Sequence, residues 1–255
     1  MKKKLTAVAL VVCMLAIMLV GASLAYFTDE SDVATNVMTL GNVTIEQYEK
    51  DKEGKNFVQE QKLIPAVDNR KDKETNPNPV VDGWFSEDYE NVIDKVVTVK
   101  NTGTEAAYVR TIFAFEGRSD VFDVYIGRLR NTKDWDYKFL PRADQQEAGK
   151  VGPNGEFLAK EIEVDGVVHT VMIATYKTEL AGGAETEPSL KQFFLAPTAD
   201  NEVLQLFGKE YTIHAVSQAV QVAGFEELGA EYALNEAFGE LTDANLYAWL
   251  NAAAE

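Results

Sequence analysis

From residue 92 to residue 222 the chain alternates apolar and polar side chains over short stretches and breaks each one with turn residues. A period of two fits extended chain with one buried face and excludes a mainly helical core. Val92-Ile93-Asp94-Lys95-Val96-Val97-Thr98-Val99 runs into the turn sequence Asn101-Thr102-Gly103, and residues 107–115 follow as its expected hairpin partner or neighbour. Trp135, Tyr137 and Phe139 alternate over a shorter strand. Residues 161–164 and 167–176 flank Asp165-Gly166, a pair that tolerates positive φ and so closes a two-residue hairpin. Further strands fit 190–195 and 211–222, and residues 33–45 read as strand interrupted at Gly41-Asn42.

Two regions depart from this pattern. The stretch 48–82 holds Lys, Glu, Asn and three prolines (Pro65, Pro77, Pro79), and is expected to be a long loop or insertion. After residue 222 the period lengthens. Phe225, Leu228 and Tyr232, then Leu234, Phe238 and Leu241, recur at three- and four-residue steps, and Asp243 caps a second helix with Leu246, Trp249 and Leu250 on one face. Residues 225–253 therefore read as a short helical tail. No fixed repeat or linker divides residues 26–255, so the expectation is one all-β, antiparallel β-sandwich domain.

The start of the chain has a separate logic. Lys2-Lys3-Lys4 precedes an apolar run from Leu5 to Val20, and small residues stand at Ser23 and Ala25 before Tyr26. That is the form of a secretory signal, residues 1–25, cut between Ala25 and Tyr26. The rival reading is an uncleaved membrane anchor, since the apolar stretch is near the length of a span. Val11-Val12 before Cys13 do not suit a lipoprotein signal. Cys13 is the only cysteine, so the exported domain has no disulfide; its size allows a sufficient core without one.

A net charge of −17 becomes more negative once the three lysines leave, which disfavours nucleic acid and anionic membrane as partners. Membrane contact is expected only through an uncleaved signal.

At this point a family resemblance can be stated. Leu24-Ala25-Tyr26-Phe27-Thr28-Asp29, then Thr35-Asn36 and Leu40-Gly41-Asn42-Val43-Thr44-Ile45, resemble exported Gram-positive proteins of the TasA/camelysin type. Val99-Lys100-Asn101-Thr102-Gly103-Thr104 with Ala107-Tyr108-Val109-Arg110 is similar to that family's strand, turn and strand pattern. Leu180, Gly182-Gly183, Thr186 and Pro188, followed by the run IHAVSQAVQ from Ile213, resemble its closing segment. The resemblance implies a jelly-roll-like sandwich, a dedicated signal peptidase and an extracellular place in surface or biofilm matrix. Its best-known members form fibres by donor-strand exchange, with themselves or a related matrix subunit as partner. Here the donor would be residues 26–45, with Phe27, Val33, Val37, Leu40, Val43 and Ile45 as apolar contacts. The alternative is that this segment is the first strand of its own sheet.

Camelysin-type relatives are described as metalloproteases, so chemistry must be sought too. H-E-x-x-H is absent, and His169 and His214 are the only histidines. With a carboxylate they would form a zinc site only if their strands bring both rings to one face. Ser189 and Ser217 have no nucleophile context, and no Gly-x-Ser-x-Gly stands in the chain. Asp29, Glu30 and Asp32, or Asp120 and Asp123, offer oxygen ligands for calcium without matching an EF-hand loop. No catalytic residue and no required cofactor are expected. A monomeric adhesin, with Trp84-Phe85 or Trp135 as contacts, is the remaining alternative. No L-P-x-T-G signal stands at the C-terminus, so sortase anchoring is not expected.

Amino-terminal sequencing of protein released from cells should read Tyr-Phe-Thr-Asp. An intact start at Met1 would assign the segment to a membrane anchor instead.

Overall fold

The computed structural model describes residues 37–40, 43–57, 63–141, 159–207 and 211–252. The predicted signal residues Ser23, Ala25 and Tyr26, and the candidate assembly residues Phe27 and Val33, lie outside them.

Two sheets face each other. The first runs β1 (Val37–Leu40), β14 (Ile213–Gln221), β8 (Ala107–Glu116), β12 (Val167–Tyr176) and β10 (Trp135–Phe139), with β11 (Glu161–Val164) beside the other half of β12. The second runs β2 (Ile45–Lys50), β7 (Ile93–Asn101), β13 (Leu190–Leu195) and β9 (Ile126–Arg130). Pairing within both is antiparallel except β1 on β14, which is parallel. The expected all-β sandwich is what forms. The Asp165-Gly166 hairpin is also as expected: Val164 pairs with Val167, and the two turn residues sit at φ 52° and 79°.

β7 and β8 are not the hairpin expected from the sequence. They belong to different sheets, because their apolar faces (Val97 and Val99; Val109, Phe113 and Phe115) are buried in one shared core between the layers. The corner between them is pinned by Asn101. Its Nδ2 donates to Glu105 O (2.7 Å) and Leu180 O (3.1 Å), and its Oδ1 accepts from Gly103 N (3.0 Å). Gly182 packs so closely that a Cβ there would lie 2.4 Å from Thr104 O. The Asn-Thr-Gly and Gly-Gly segments are thus two halves of one corner.

Every residue of β8 is buried. One face meets the second sheet; the other lies under α2 (Gly229–Phe238) and α3 (Asp243–Ala252). Ile112, Ala114, Val171, Ile173 and Val216 pack on Leu246, Trp249 and Leu250, while Tyr108, Val220 and Val222 pack on Ala233 and Leu234. Arg110 sits beneath these helices, held by two amide side chains. Its Nε donates to Gln218 Oε1 and its Nη1 to Asn235 Oδ1, both at 2.7 Å, and burial pulls its guanidinium down to about 10. A helix unanticipated from the sequence, α1 (Ser119–Tyr125), places Phe122 in the central core.

The long loop expected at 48–82 needs correction. Residues 48–50 belong to β2, and residues 63–90 lie over the outer side of the second sheet, carrying the ladders β3 (Val67–Asp68) with β6 (Tyr89–Glu90) and β4 (Val80–Val81) with β5 (Trp84–Phe85). Buried Arg70 organises this segment, donating to Asn76 O (2.9 Å), Asn78 O (2.8 Å) and the Asp68 carboxylate. Phe85 and Tyr89 stack at 5.2 Å, and each meets Phe194 edge-on at 5.0 and 5.4 Å. The prolines lie within this anchored cover: Pro65 bridges to Leu195, and Pro79 O accepts from Ser86 N (2.9 Å).

Phe194 rests where Gly127 has no side chain; a Cβ at Gly127 would lie 2.0 Å from the ring. Gly127→Ala should therefore displace the ring, cost roughly 1–3 kcal/mol by overpacking, and make residues 63–90 more sensitive to limited proteolysis. Adding Phe194→Ala in the same chain should relieve part of that loss.

Candidate functional site

The outer edge of β14 is where the resemblance-bearing segments meet. At the ends of the β8–β14 ladder, Glu116 N donates to Thr212 O (3.0 Å) and Val222 N to Ala106 O (2.9 Å). In an antiparallel pair each residue turns both backbone groups to the same side, and successive residues alternate. Even-numbered residues of β14 therefore bond β8. Odd-numbered ones, from Ile213 to Gln221, point to the outer edge.

β1 covers only part of that edge, with Val37 beside Ser217 and Leu40 beside Val220. Among the described residues no strand lies along 213–216 on this side. The proposed assembly residues thus divide. Val37 and Leu40 are on the protein's own β14, and Val43 and Ile45 are buried in its own core. Contact residues in a strand are read from alternation, and alternation does not tell an own sheet from a neighbour's.

Beneath the edge runs a buried polar chain that the sequence reading missed. Ser217 Oγ donates to Gln47 Oε1 (2.6 Å) and stands 2.9 Å from Thr111 Oγ1, which is then its donor. Gln47 Nε2 donates to Ala215 O (3.2 Å) and to Glu49 Oε1 (3.2 Å), and Glu49 pairs with Lys95. Gln47 and Ser217 are both 0 % exposed. Ala215 points outward by the alternation above, so Gln47 supplies the hydrogen bond that an added strand would otherwise give. A signal was present: Ile45, Gln47 and Glu49 share the inward phase of β2, so the polar pair had to find partners.

His169 and His214 do come to one face, the helix side of the first sheet, with ring centroids 5.0 Å apart. His169 Nδ1 lies 2.9 Å from Val167 O and Nε2 2.9 Å from Thr212 Oγ1, so both ring nitrogens are engaged. Thr212 in turn contacts Glu116 Oε2 through its amide (2.9 Å) and hydroxyl (3.1 Å). Burial, with the neighbouring His214, lowers His169 to about 4; burial also lowers His214. Among the described residues no group of three or more His, Cys, Asp or Glu is placed to hold a metal ion. Asp120 and Asp123 face Arg118 (3.3 Å) and Arg128 (3.7 Å); Asp29, Glu30 and Asp32 lie outside the described residues. Ser217 serves the polar chain, and Ser189 Oγ donates to Val97 O (3.2 Å). Trp135 is core, its Nε1 donating to Glu187 O (2.8 Å), and Trp84 stacks with Lys191. No described helix is long and apolar enough to cross a membrane.

No family model and no curated protein matches the chain. The likeness to the TasA/camelysin type rests on the motifs quoted above.

Gln47→Leu should cost about 1–3 kcal/mol in chemical denaturation, because Ala215 O and Ser217 Oγ lose a buried partner. Ser217→Ala in the Gln47→Leu background should cost less than the sum of the single changes, a coupling read from the double-mutant cycle.

Proposed function

We propose that this chain is a secreted structural protein of a bacterial surface or biofilm matrix, joined to further copies by strand addition at the N-terminal segment. The observation that carries this reading is the pairing of β1, extended chain from the N-terminal side, on the outer edge of β14. Ile213 and Ala215 turn their backbone groups outward there, with Ala215 O already held by Gln47, and a strand edge of this kind is a template for extended chain.

β1 supports the same reading in two ways. It shows that extended chain from near the N-terminus pairs with this edge, and that it does so in parallel. A segment running in the same direction, upstream of β1, would continue the register along 213–216. Four residues of pairing are a weak bond, since each hydrogen bond contributes only about 1 kcal/mol net. A stable joint needs apolar contacts as well, and Phe27 and Val33 supply these residue types in the chain before β1. The joint is made of backbone pairing, so no catalytic group is required. Secretion frees the segment, since the signal's removal leaves it as a chain end.

The test is electron microscopy of purified chain starting at Tyr26. It should form filaments, and the same chain starting at Val37 should stay monomeric with an unchanged melting temperature. Ile213→Pro removes one outward N–H at the first residue of β14, where proline is tolerated, and should also suppress filaments. Equal filament growth in all three proteins would overturn the proposal.

A further inference from the structure

The contacts around Thr212 contain one more hydrogen bond than a neutral imidazole, a hydroxyl and a carboxylate can fill. Val167 O can only accept, so His169 Nδ1 must carry a proton to bond it at 2.9 Å. The Thr212 hydroxyl has one hydrogen and two partners, His169 Nε2 at 2.9 Å and Glu116 Oε2 at 3.1 Å. A neutral imidazole and the hydroxyl bring two protons to three contacts. The third must come from solvent.

The same geometry says where that proton goes. Glu116 Oε2 already accepts the Thr212 amide at 2.9 Å. A carboxylate accepting both donors of Thr212 leaves the hydroxyl oxygen free to accept from His169, so the added proton sits on Nε2. His169 then bonds Val167 through one nitrogen and Thr212 through the other. The turn end of β12, the last residue of β8 and the residue before β14 are tied in one chain.

We propose that His169, Thr212 and Glu116 form a proton-operated latch on the start of β14. Uptake of one proton at His169 Nε2 closes all three contacts; release of it leaves one contact unbonded and loosens Thr212. Among the described residues, the charged and titratable groups facing His169 include His214 on β14, whose ring is 5.0 Å away, and Asp165 in the β11–β12 turn; His214 further feels Glu116, Glu49 of β2 and Lys95 of β7. Burial holds His169 well below the ordinary imidazole range, so the latch is open at neutral pH and closes in acid. Its operation does not depend on strand addition. The latch adjoins the 213–216 edge, and only its effect on assembly rests on that reading.

The test uses chain starting at Val37, kept monomeric, from pH 7.5 to pH 3.5. Nitrogen-detected NMR of the imidazole rings should show His169 Nε2 gaining a proton. Over the same step, hydrogen exchange at the Thr212 amide, normalised for the intrinsic pH dependence, should slow about tenfold. Thr212→Val should abolish the exchange step and lower the His169 midpoint, while Thr212→Ser should restore both. His214→Gln removes a like charge on protonation and should raise the midpoint. A flat exchange profile in the unchanged chain, or a step that persists in Thr212→Val, overturns the latch. Filaments that form normally alongside either result would leave the proposed function intact. A latch that titrates in protein unable to form filaments would sink only that function.

Discussion

The direction in which each residue of β14 turns its backbone groups governs the rest of this structure. Its even-numbered residues are committed to β8, and that pairing holds the middle layer together. Its odd-numbered residues must find partners outside the β8 ladder. β1 serves some of them, the Gln47 side chain serves Ala215 O, and the last rung of the β8 pairing is completed by the Glu116 carboxylate on the Thr212 amide. A buried or half-buried carbonyl without a partner costs more than most side-chain contacts contribute. That penalty explains why three unrelated devices are spent on one strand.

The layering follows from composition on β8. Ala107 to Glu116 has apolar residues in both phases, and such a strand has to be covered on both faces. The second sheet covers one and the C-terminal helices cover the other. Arg110 and Thr111 break the apolar run at its middle, one per face. Each is matched by a polar residue of β14, Gln218 and Ser217 respectively. Cross-strand pairing of this kind fixes register, because a slip of one residue would bury a guanidinium against apolar side chains.

Much of this was legible in the residues. Alternation and the Asp165-Gly166 pair gave the strands, the change of period after 222 gave the helices, and Asn101-Thr102-Gly103 gave a chain reversal. What alternation does not carry is which sheet a strand joins. Residues 92–115 show a strand, a turn and a strand whether they pair or cross the sandwich, and here the choice is made by burial of both apolar faces in one core. The cover at 63–90 was hidden for a related reason: its anchors, Arg70, Phe85 and Tyr89, are isolated in a polar, proline-containing stretch. The histidines show the limit on site reading. Their meeting on one face was foreseeable as a condition, but the partners that engage His169, Val167 O and Thr212 Oγ1, carry no sequence signature of a site.

The two sides of the sandwich differ in a way that bears on how copies would join. On the far side from β14, edge strand β9 turns Arg128 and Arg130 inward. Arg128 lies over Phe122 at 4.3 Å and Arg130 over Tyr137 at 4.9 Å. Inward-pointing charge on an edge strand penalises an added strand, since pairing there would seal the charge further from water. Along 213–216 of β14 the inward-pointing side chains are Ile213 and Ala215, which carry no charge. In the proposed reading β9 is guarded against an added strand and the β14 edge accepts one. A donor at the N-terminus and an acceptor on β14 are different surfaces, and a contact between different surfaces propagates head to tail. In the proposed reading, it is this asymmetry that would make the product a filament and not a closed dimer.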